Sequence, residues 1–438
     1  MNIAARQVSD DVLDRGRAAL IRGWSTGTEP GLIIAKAQGA LIWDSTGKEY
    51  IDCTAQAWSN NIGAGDPRVL DAVEKQMRSV THARSNYDTV ALLELSAKMA
   101  EIAPKGLTRV GYCLHGSMAV EMALKIALKN TDDPGPFIAL KNGYHGRSLA
   151  TMGISWPHTY GNIGRMLPHV VRVSPPYAYR KPDELSLSEW VQRCLWELRE
   201  AIRGGTTGKP AAFIMEPIQG NGSESDFPLE YYRGVREICD EENVLLIWDE
   251  IQTGFGRTGA MWASDLYGVT PDILIFGKGI GGGFPLSGIL IREDLEGFAP
   301  GEDALTFGQF PVSLAAASAA IDVMRDDNLI AACDRAGKMA TARLLQLQDR
   351  HPLIGDVRCP GLMIGIELVL DRVTKEPAPN EALAVYELGL QHGVIFGTTK
   401  FAGLGNVVKI KPSFVITDDQ LNRAIDVFDE VLTTIEAG

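Results

Sequence analysis

Only six cysteines occur in 438 residues: Cys53, Cys113, Cys194, Cys239, Cys333 and Cys359. They are scattered, with no Cys-x-x-Cys pair and no histidine at metal-ligand spacing. That scarcity excludes a disulfide framework and a cysteine-built metal site, and it points to a reduced, cytoplasmic protein. Basic charge is short as well, with 42 Lys and Arg against 55 Asp and Glu, a formal net charge of −13. Nucleic acid and anionic membranes both demand a basic face, so neither is an expected partner. No apolar run approaches the roughly 20 residues that cross a bilayer. The N-terminal stretch MNIAARQVSDDVLDRGRAAL places acids where an export signal has its apolar segment. Repeats, low-complexity tracts and long linkers are lacking too. What is present is an ordinary apolar fraction of 45% over a length that suits two or three domains around a sizeable core.

The chain is organised around residues 244–283, VLLIWDEIQTGFGRTGAMWASDLYGVTPDILIFGKGIGGG. One apolar run, 244–248, stops at Asp249 and Glu250, and a second, 272–276, stops at Gly277 and Lys278. Each reads as a buried parallel strand whose carboxyl end bears charge. Ligands of open α/β sheets sit at that end, where the loops converge. An acid and an amine therefore face one crevice, although residue type alone is equally compatible with a structural ion pair. Four apolar residues before Asp-Glu also describe the magnesium strand of a P-loop nucleotidase. That fold needs Gly-x-x-x-x-Gly-Lys-Ser/Thr, and the nearest stretch, 204–210, has the wrong glycine spacing and Pro210 in place of the hydroxyl.

A short amphipathic helix is expected over 9–22, then a β-hairpin turning at Ser45-Thr46-Gly47-Lys48. From Leu107 strands and helices alternate, which predicts a seven-stranded, mostly parallel sheet with helices on both faces. The expected strands are 109–113, 137–140, 169–173, 211–215, 244–248, 273–276 and 286–291. The helix 117–129 follows Gly116. Its unpaired N–H groups and dipole make a phosphate site of Gly116, Ser117 and the amide of Met118. Beyond about Asp327 come a long helix through Gln348, a hairpin-like HPLIGDVRCPGLMIGIELV, and a last helix opened by a capping box, Thr417 to Gln420. The expected division is 1–66 and 328–438, joined as a smaller α+β domain, around a large domain at 67–327.

The segment DEIQTGFGRTG, followed by the lysine of GKGIGGGFPLSG, resembles the cofactor signature of the class III aminotransferases, pyridoxal 5′-phosphate enzymes of fold type I. The resemblance implies that Lys278 forms the Schiff base and Asp249 meets the pyridine nitrogen. A carboxylate there keeps the ring protonated, so that it accepts electrons as a bond at the substrate α-carbon breaks, and the lysine freed by the incoming amine carries the proton. It further implies that Gln252 donates to the phenolic oxygen, that Tyr144 of Tyr144-His145-Gly146 stacks on the ring, and that Glu216 of Glu216–Gly220 holds the surroundings. Ile251 either packs on a ring face or belongs to the core. The segment TFGQFPVSLAAASAA also resembles the family's, and the resemblance implies that Thr306 reaches the phosphate of a neighbouring subunit, so that the expected assembly is a homodimer with shared sites.

Several positions depart from the family pattern. Leu114 and His115 stand where Asn-Ser is usual, Met118 replaces an acid, Gln309-Phe310 replace a small residue and Asn or His, and Ala64 and Asp66 replace histidines. Trp58 falls where relatives place a substrate-pocket aromatic. Lys409 occupies the position of a carboxylate-binding arginine, and Asn221 that of a glutamate that masks it. A lysine offers a point charge instead of a two-pronged contact, so Lys400 and Lys411 are candidates to share the work. The resemblance implies an aminotransferase taking an amino group from an amine or amino acid to a 2-oxo acid. One alternative is a racemase or epimerase of the same family. That chemistry needs a second acid/base, which those relatives supply as Asp where this chain has Asn221, and a neutral amide accepts no proton. A non-catalytic homologue acting as a binding subunit is the other alternative, opposed by the intact Asp249, Gln252 and Lys278.

Overall fold

Strands β1 (Ile34–Gln38), β2 (Leu41–Asp44) and β3 (Glu49–Asp52) form an antiparallel ladder, with the predicted turn at Ser45–Lys48 between the last two. This computed structural model describes residues 9–21, 32–157, 169–221, 223–398 and 405–437. Asp44 organises the turn, accepting from the amides of Thr46 at 2.9 Å and Lys48 at 3.0 Å. The first helix runs Asp10–Ala19, inside the expected 9–22, and Arg22 lies outside the described residues.

The central sheet contains β4 (Leu107–Cys113), β5 (Phe137–Leu140), β6 (Val170–Val173), β7 (Ala212–Met215), β8 (Leu245–Asp249), β9 (Ile273–Phe276) and β10 (Ser287–Arg292). Their spatial order is β4-β10-β9-β8-β7-β5-β6. β5 to β9 are parallel, and β10 runs antiparallel to both β9 and β4. Every residue of β5, β7 and β9 is buried, because the pleat sends alternate side chains into two separate cores. Ile138, Leu140, Phe213, Met215, Leu246 and Trp248 meet the helices Leu187–Gly204 and Leu229–Glu241. Phe137, Ala139, Ile214, Ile247, Ile273 and Ile275 meet the helix Gly116–Lys129 instead. Unbroken apolar runs follow from this two-sided burial. At roughly 1.5–3 kcal/mol per large aliphatic side chain, they anchor the sheet.

The C-terminal part holds β11 (Ile354–Arg358), β12 (Ile364–Asp371), β13 (Glu376–Pro377), β14 (Val394–Ile395), β15 (Gly397–Thr398) and β16 (Val407–Ile410). β11 and β12 form the expected antiparallel pair. The last helix, Asp418–Glu436, starts on the full Thr417–Gln420 capping box. It is pinned by His351, whose ring nitrogens lie 2.7 Å from Asp429 Oδ1 and 2.7 Å from Glu436 Oε2. β14 pairs in parallel with β3, joining the two ends of the chain in one sheet. Lys48 Nζ reinforces that seam by donating to the carbonyls of Leu390 and Gln391, at the end of the helix Pro379–Gln391. Asp66, one of the departures, is the N-cap of the helix Pro67–Ser79 and accepts from Arg68 N at 2.9 Å.

Candidate active site

The carboxyl ends of β5, β7, β8 and β9 deliver Tyr144-His145, Glu216, Asp249 and Lys278 to one cavity of about 280 Å³. Gly116, Ser117, Gly146, Arg147, Ile251 and Gln252 complete most of its wall. Of the residues predicted from sequence, Lys278, Asp249, Gly116, Ser117, Tyr144, Glu216 and Gln252 thus line the cavity together. A wider open groove of about 520 Å³, between the helices Leu187–Gly204 and Leu229–Glu241, contains none of them.

Asp249 is almost fully buried. Its Oδ2 lies 2.8 Å from His145 Nδ1, and its Oδ1 accepts from the Ile251 amide at 3.1 Å. Glu216 accepts from the amides of Tyr144 at 2.9 Å and Gly220 at 3.1 Å. Burial pushes its carboxyl up to about 7, opposed by His145 and those amides and reinforced by Asp249. Lys278 comes one residue after β9, past Gly277, with a left-handed φ of 45°, a strained conformation for a long side chain of the kind held at functional sites. Burial lowers its amine below the usual lysine range, while Asp249, Glu216 and Glu224 pull it back up. An amine lowered in this way spends more time as the neutral nucleophile.

The helix Gly116–Lys129 presents its first turn to the same cavity, with no side-chain cap from His115. The amides of Gly116 and Ser117 have no hydrogen-bond partner among the described residues. The Met118 amide is donated to His115 O at 3.0 Å. The expected phosphate role of the Met118 amide therefore shares that N–H with a contact inside the first turn, whereas the Gly116 and Ser117 amides carry no such contact. Ser117 Oγ accepts from Arg147 N at 2.9 Å. A side chain at Gly146, where φ is +127°, would collide with Ser117 Oγ and stand 2.7 Å from Thr151 Oγ1. A buried acid, unpaired N–H groups at a helix start and an amine on one cavity wall suit a flat, phosphorylated pyridine such as pyridoxal 5′-phosphate.

The remaining predicted residues fall outside this wall. Thr306 is exposed, next to Phe307, whose ring lies 4.7 Å from that of His82. Asn221 is half-buried at the loop after β7. Lys409 and Lys411 are fully buried instead of solvated. Glu224 Oε1 takes both, at 2.9 Å and 2.8 Å, and Lys409 also donates to Gly220 O at 2.6 Å. Lys411 donates in addition to Gln252 Oε1 and lies 3.9 Å from the Trp58 ring centroid. Trp58 is held there by a left-handed turn, Ala55 to Trp58, with φ between 43° and 65°. L-residues pay for such a turn in steric crowding. Lys400 lies outside the described residues.

Two residues escaped the sequence reading, His145 and Glu224. Glu224 lies three residues past Asn221 and reaches the lysines because Ser223 and Glu224 have φ of 95° and 53°. Arg358 fixes this loop by donating twice to Ser223 O, at 3.0 and 2.6 Å. The GFGRTG stretch proves to be scaffolding. Arg257 is fully buried and donates to Leu362 O, to Pro412 O at 2.7 Å and to Asn61 Oδ1 at 2.6 Å. Burial lowers its guanidinium to about 10.

Residues 25–432 match the model of the family described as aminotransferase class-III. The chain is 33% identical to an acetylornithine aminotransferase of Methanothermobacter thermautotrophicus over 428 residues, covering 98% of this chain and 100% of the relative. It is 34% identical to an isoleucine 2-epimerase of Lentilactobacillus buchneri, covering 93% and 91%. Among solved structures, an amine transaminase from an uncultivated Pseudomonas species, in its pyridoxal-phosphate-bound form, superposes with a TM-score of 0.88 at 27% identity. That match covers 95% of this chain and 98% of the other.

Proposed function

The chain belongs to the class III aminotransferases, and on that premise we propose how its own residues divide the work. The enzyme uses pyridoxal 5′-phosphate and moves an amino group from a donor to a 2-oxo acid. When bound, the cofactor supplies an aldehyde for the amine and a protonated ring that withdraws electrons from the α-carbon. Asp249, oriented by His145 and the Ile251 amide, holds the proton on the ring nitrogen. Lys278 Nζ would anchor the cofactor and would be the base that takes the proton from the donor α-carbon. Gly116 and Ser117 would hold the phosphate, Tyr144 would cover the ring, Gln252 would donate to its phenolic oxygen, and Glu216 fixes the Tyr144 and Gly220 backbone beside them. Trp58, Asn221 and Lys409 border the substrate side, with Lys409 acting through its ion pair.

The observation that carries this reading is the placement of Asp249 and Lys278 on one cavity, at the carboxyl ends of neighbouring parallel strands. Purified enzyme loaded with pyridoxal 5′-phosphate should show a visible absorption band, and Lys278→Ala should abolish it. An unchanged spectrum in that variant refutes the assignment.

A homodimer suits the exposed Thr306 and Phe307 and the exposed apolar residues Leu70, Met77, Val90 and Leu93 on the helices Pro67–Ser79 and Val90–Ile102. Their burial against a second copy would bring Thr306 to the partner's phosphate. A cytoplasmic location is supported by six free cysteines, five of them buried. No helix among the described residues is long and apolar enough to cross a membrane. A division at 66/67 and 327/328 agrees with the separate sheets formed by the chain ends. The epimerase relative supports a second reading, racemisation, which the lack of a titratable group at Asn221 disfavours. Scrambling of one amino-acid enantiomer without any 2-oxo acid would establish it.

A further inference from the structure

Lys411 is fully buried, with 0% exposure, and its Nζ has three neighbours: Glu224 Oε1 at 2.8 Å, Gln252 Oε1, and the face of Trp58 at 3.9 Å. Glu224 already serves Lys409 at 2.9 Å through the same oxygen, so two buried ammonium groups share one carboxylate. Neutralising Glu224 therefore does not require Lys411. What Lys411 does uniquely is reach Gln252, a residue of the cavity wall. An ammonium group only donates hydrogen bonds, and a carboxamide offers one accepting and one donating end. The contact therefore decides which way the Gln252 amide faces. Its oxygen is turned to Lys411 and its Nε2 lies against Gly220, where a Cβ would collide with it.

We propose that Lys411 is a positioning residue that locks the Gln252 carboxamide with its NH₂ end free for the cofactor, linking the substrate-side lysine pair to the ring. Without the ammonium, Gln252 has no reason to prefer this orientation and can present its carbonyl oxygen instead. A carbonyl facing an anionic phenolic oxygen repels it, where an N–H stabilises it. The inference rests on the pyridoxal-phosphate reading of the cavity.

The test is a pH titration of the visible absorption band in the loaded enzyme. Lys411→Met keeps the stem and leaves Glu224 paired with Lys409. The band's midpoint is expected to move up by about one pH unit or more, the worth of a hydrogen bond to a charged group. In a Gln252→Ala background the same substitution should cause no further shift. Thermal stability should hold or rise, since an apolar isostere replaces a buried ammonium. Gln252→Glu, which retains the Lys411 contact and has no N–H, should shift the midpoint in the same direction and serves if Lys411→Met does not fold. A midpoint unmoved in either variant, or shifts that add in the double variant, overturns the proposal. Wild-type protein without any visible band refutes the functional reading itself, whereas a band indifferent to position 411 refutes only this inference.

Discussion

Replacing Glu224 by Gln tests the energetics of the buried lysine pair. The side chain keeps its shape but loses the charge that both Lys409 and Lys411 share, and all three residues are at most 1% exposed. Breaking a buried pair in this way typically costs about 3–5 kcal/mol. The structure indicates how the cost is limited. Lys411 is already held well below the usual lysine range by burial, with Glu224 the chief opposing influence. Without Glu224 a lysine escapes by releasing its proton. Keeping one neutral in the fold costs ~1.4 kcal/mol for each pH unit below its unfolded value near 10.4. The deficit is therefore capped at ~4–5 kcal/mol at pH 7 and ~2 kcal/mol at pH 9. The sign follows because the unfolded chain binds a proton that the folded variant does not, so stability climbs with pH between the folded and unfolded values. Urea unfolding of both proteins at pH 7, 8 and 9, at one fixed cofactor concentration, measures the gap. A deficit below ~1 kcal/mol at pH 7, or one that widens toward pH 9, would refute this account of the cluster.

Asp249→Asn removes the charge we assign to the ring nitrogen but keeps its shape; kcat should fall on the order of 100-fold or more, with folding intact by circular dichroism. Gly146→Ala forces a side chain against Ser117 and Thr151 at a φ of +127°; it should weaken cofactor affinity at least ~10-fold, about 1.4 kcal/mol, as read by fluorescence titration. His351→Ala removes the ring that bridges Asp429 and Glu436, leaving Asp429 only Arg350, and should cost ~1–3 kcal/mol, with faster amide exchange confined to the helix Asp418–Glu436. Transamination rates in that variant should match wild type below its melting temperature.

The inner strands were legible because burial on both faces leaves an unbroken apolar run such as Ile273–Phe276, and the charge that ends β8 marks the crevice. Their order in space was not legible, nor was the antiparallel course of β10, because both depend on which strands meet after the helices have packed. Within the site, Asp249 and Lys278 stand out as charges at strand ends. Glu224 does not, since it reaches the lysines only through two left-handed residues in a loop. Which amides of the turn at Gly116 stay free was not legible for a related reason. Helix starts leave several N–H groups unpaired, and which of them stays free depends on how tightly the first turn winds. Asp66 was uninterpretable as a motif position and becomes plain once it caps a helix.

Pairing of β3 with β14 sets a waiting time in biosynthesis. Ile51 leaves the ribosome long before Val394, its partner in the ladder, by on the order of half a minute at ordinary elongation rates. Throughout that interval the edge of β3 remains available to any other strand in the cell. Overexpression should therefore lose this protein first to aggregates templated by its N-terminal hairpin, and a slower host or a holdase that shields nascent edges should raise the recovered yield.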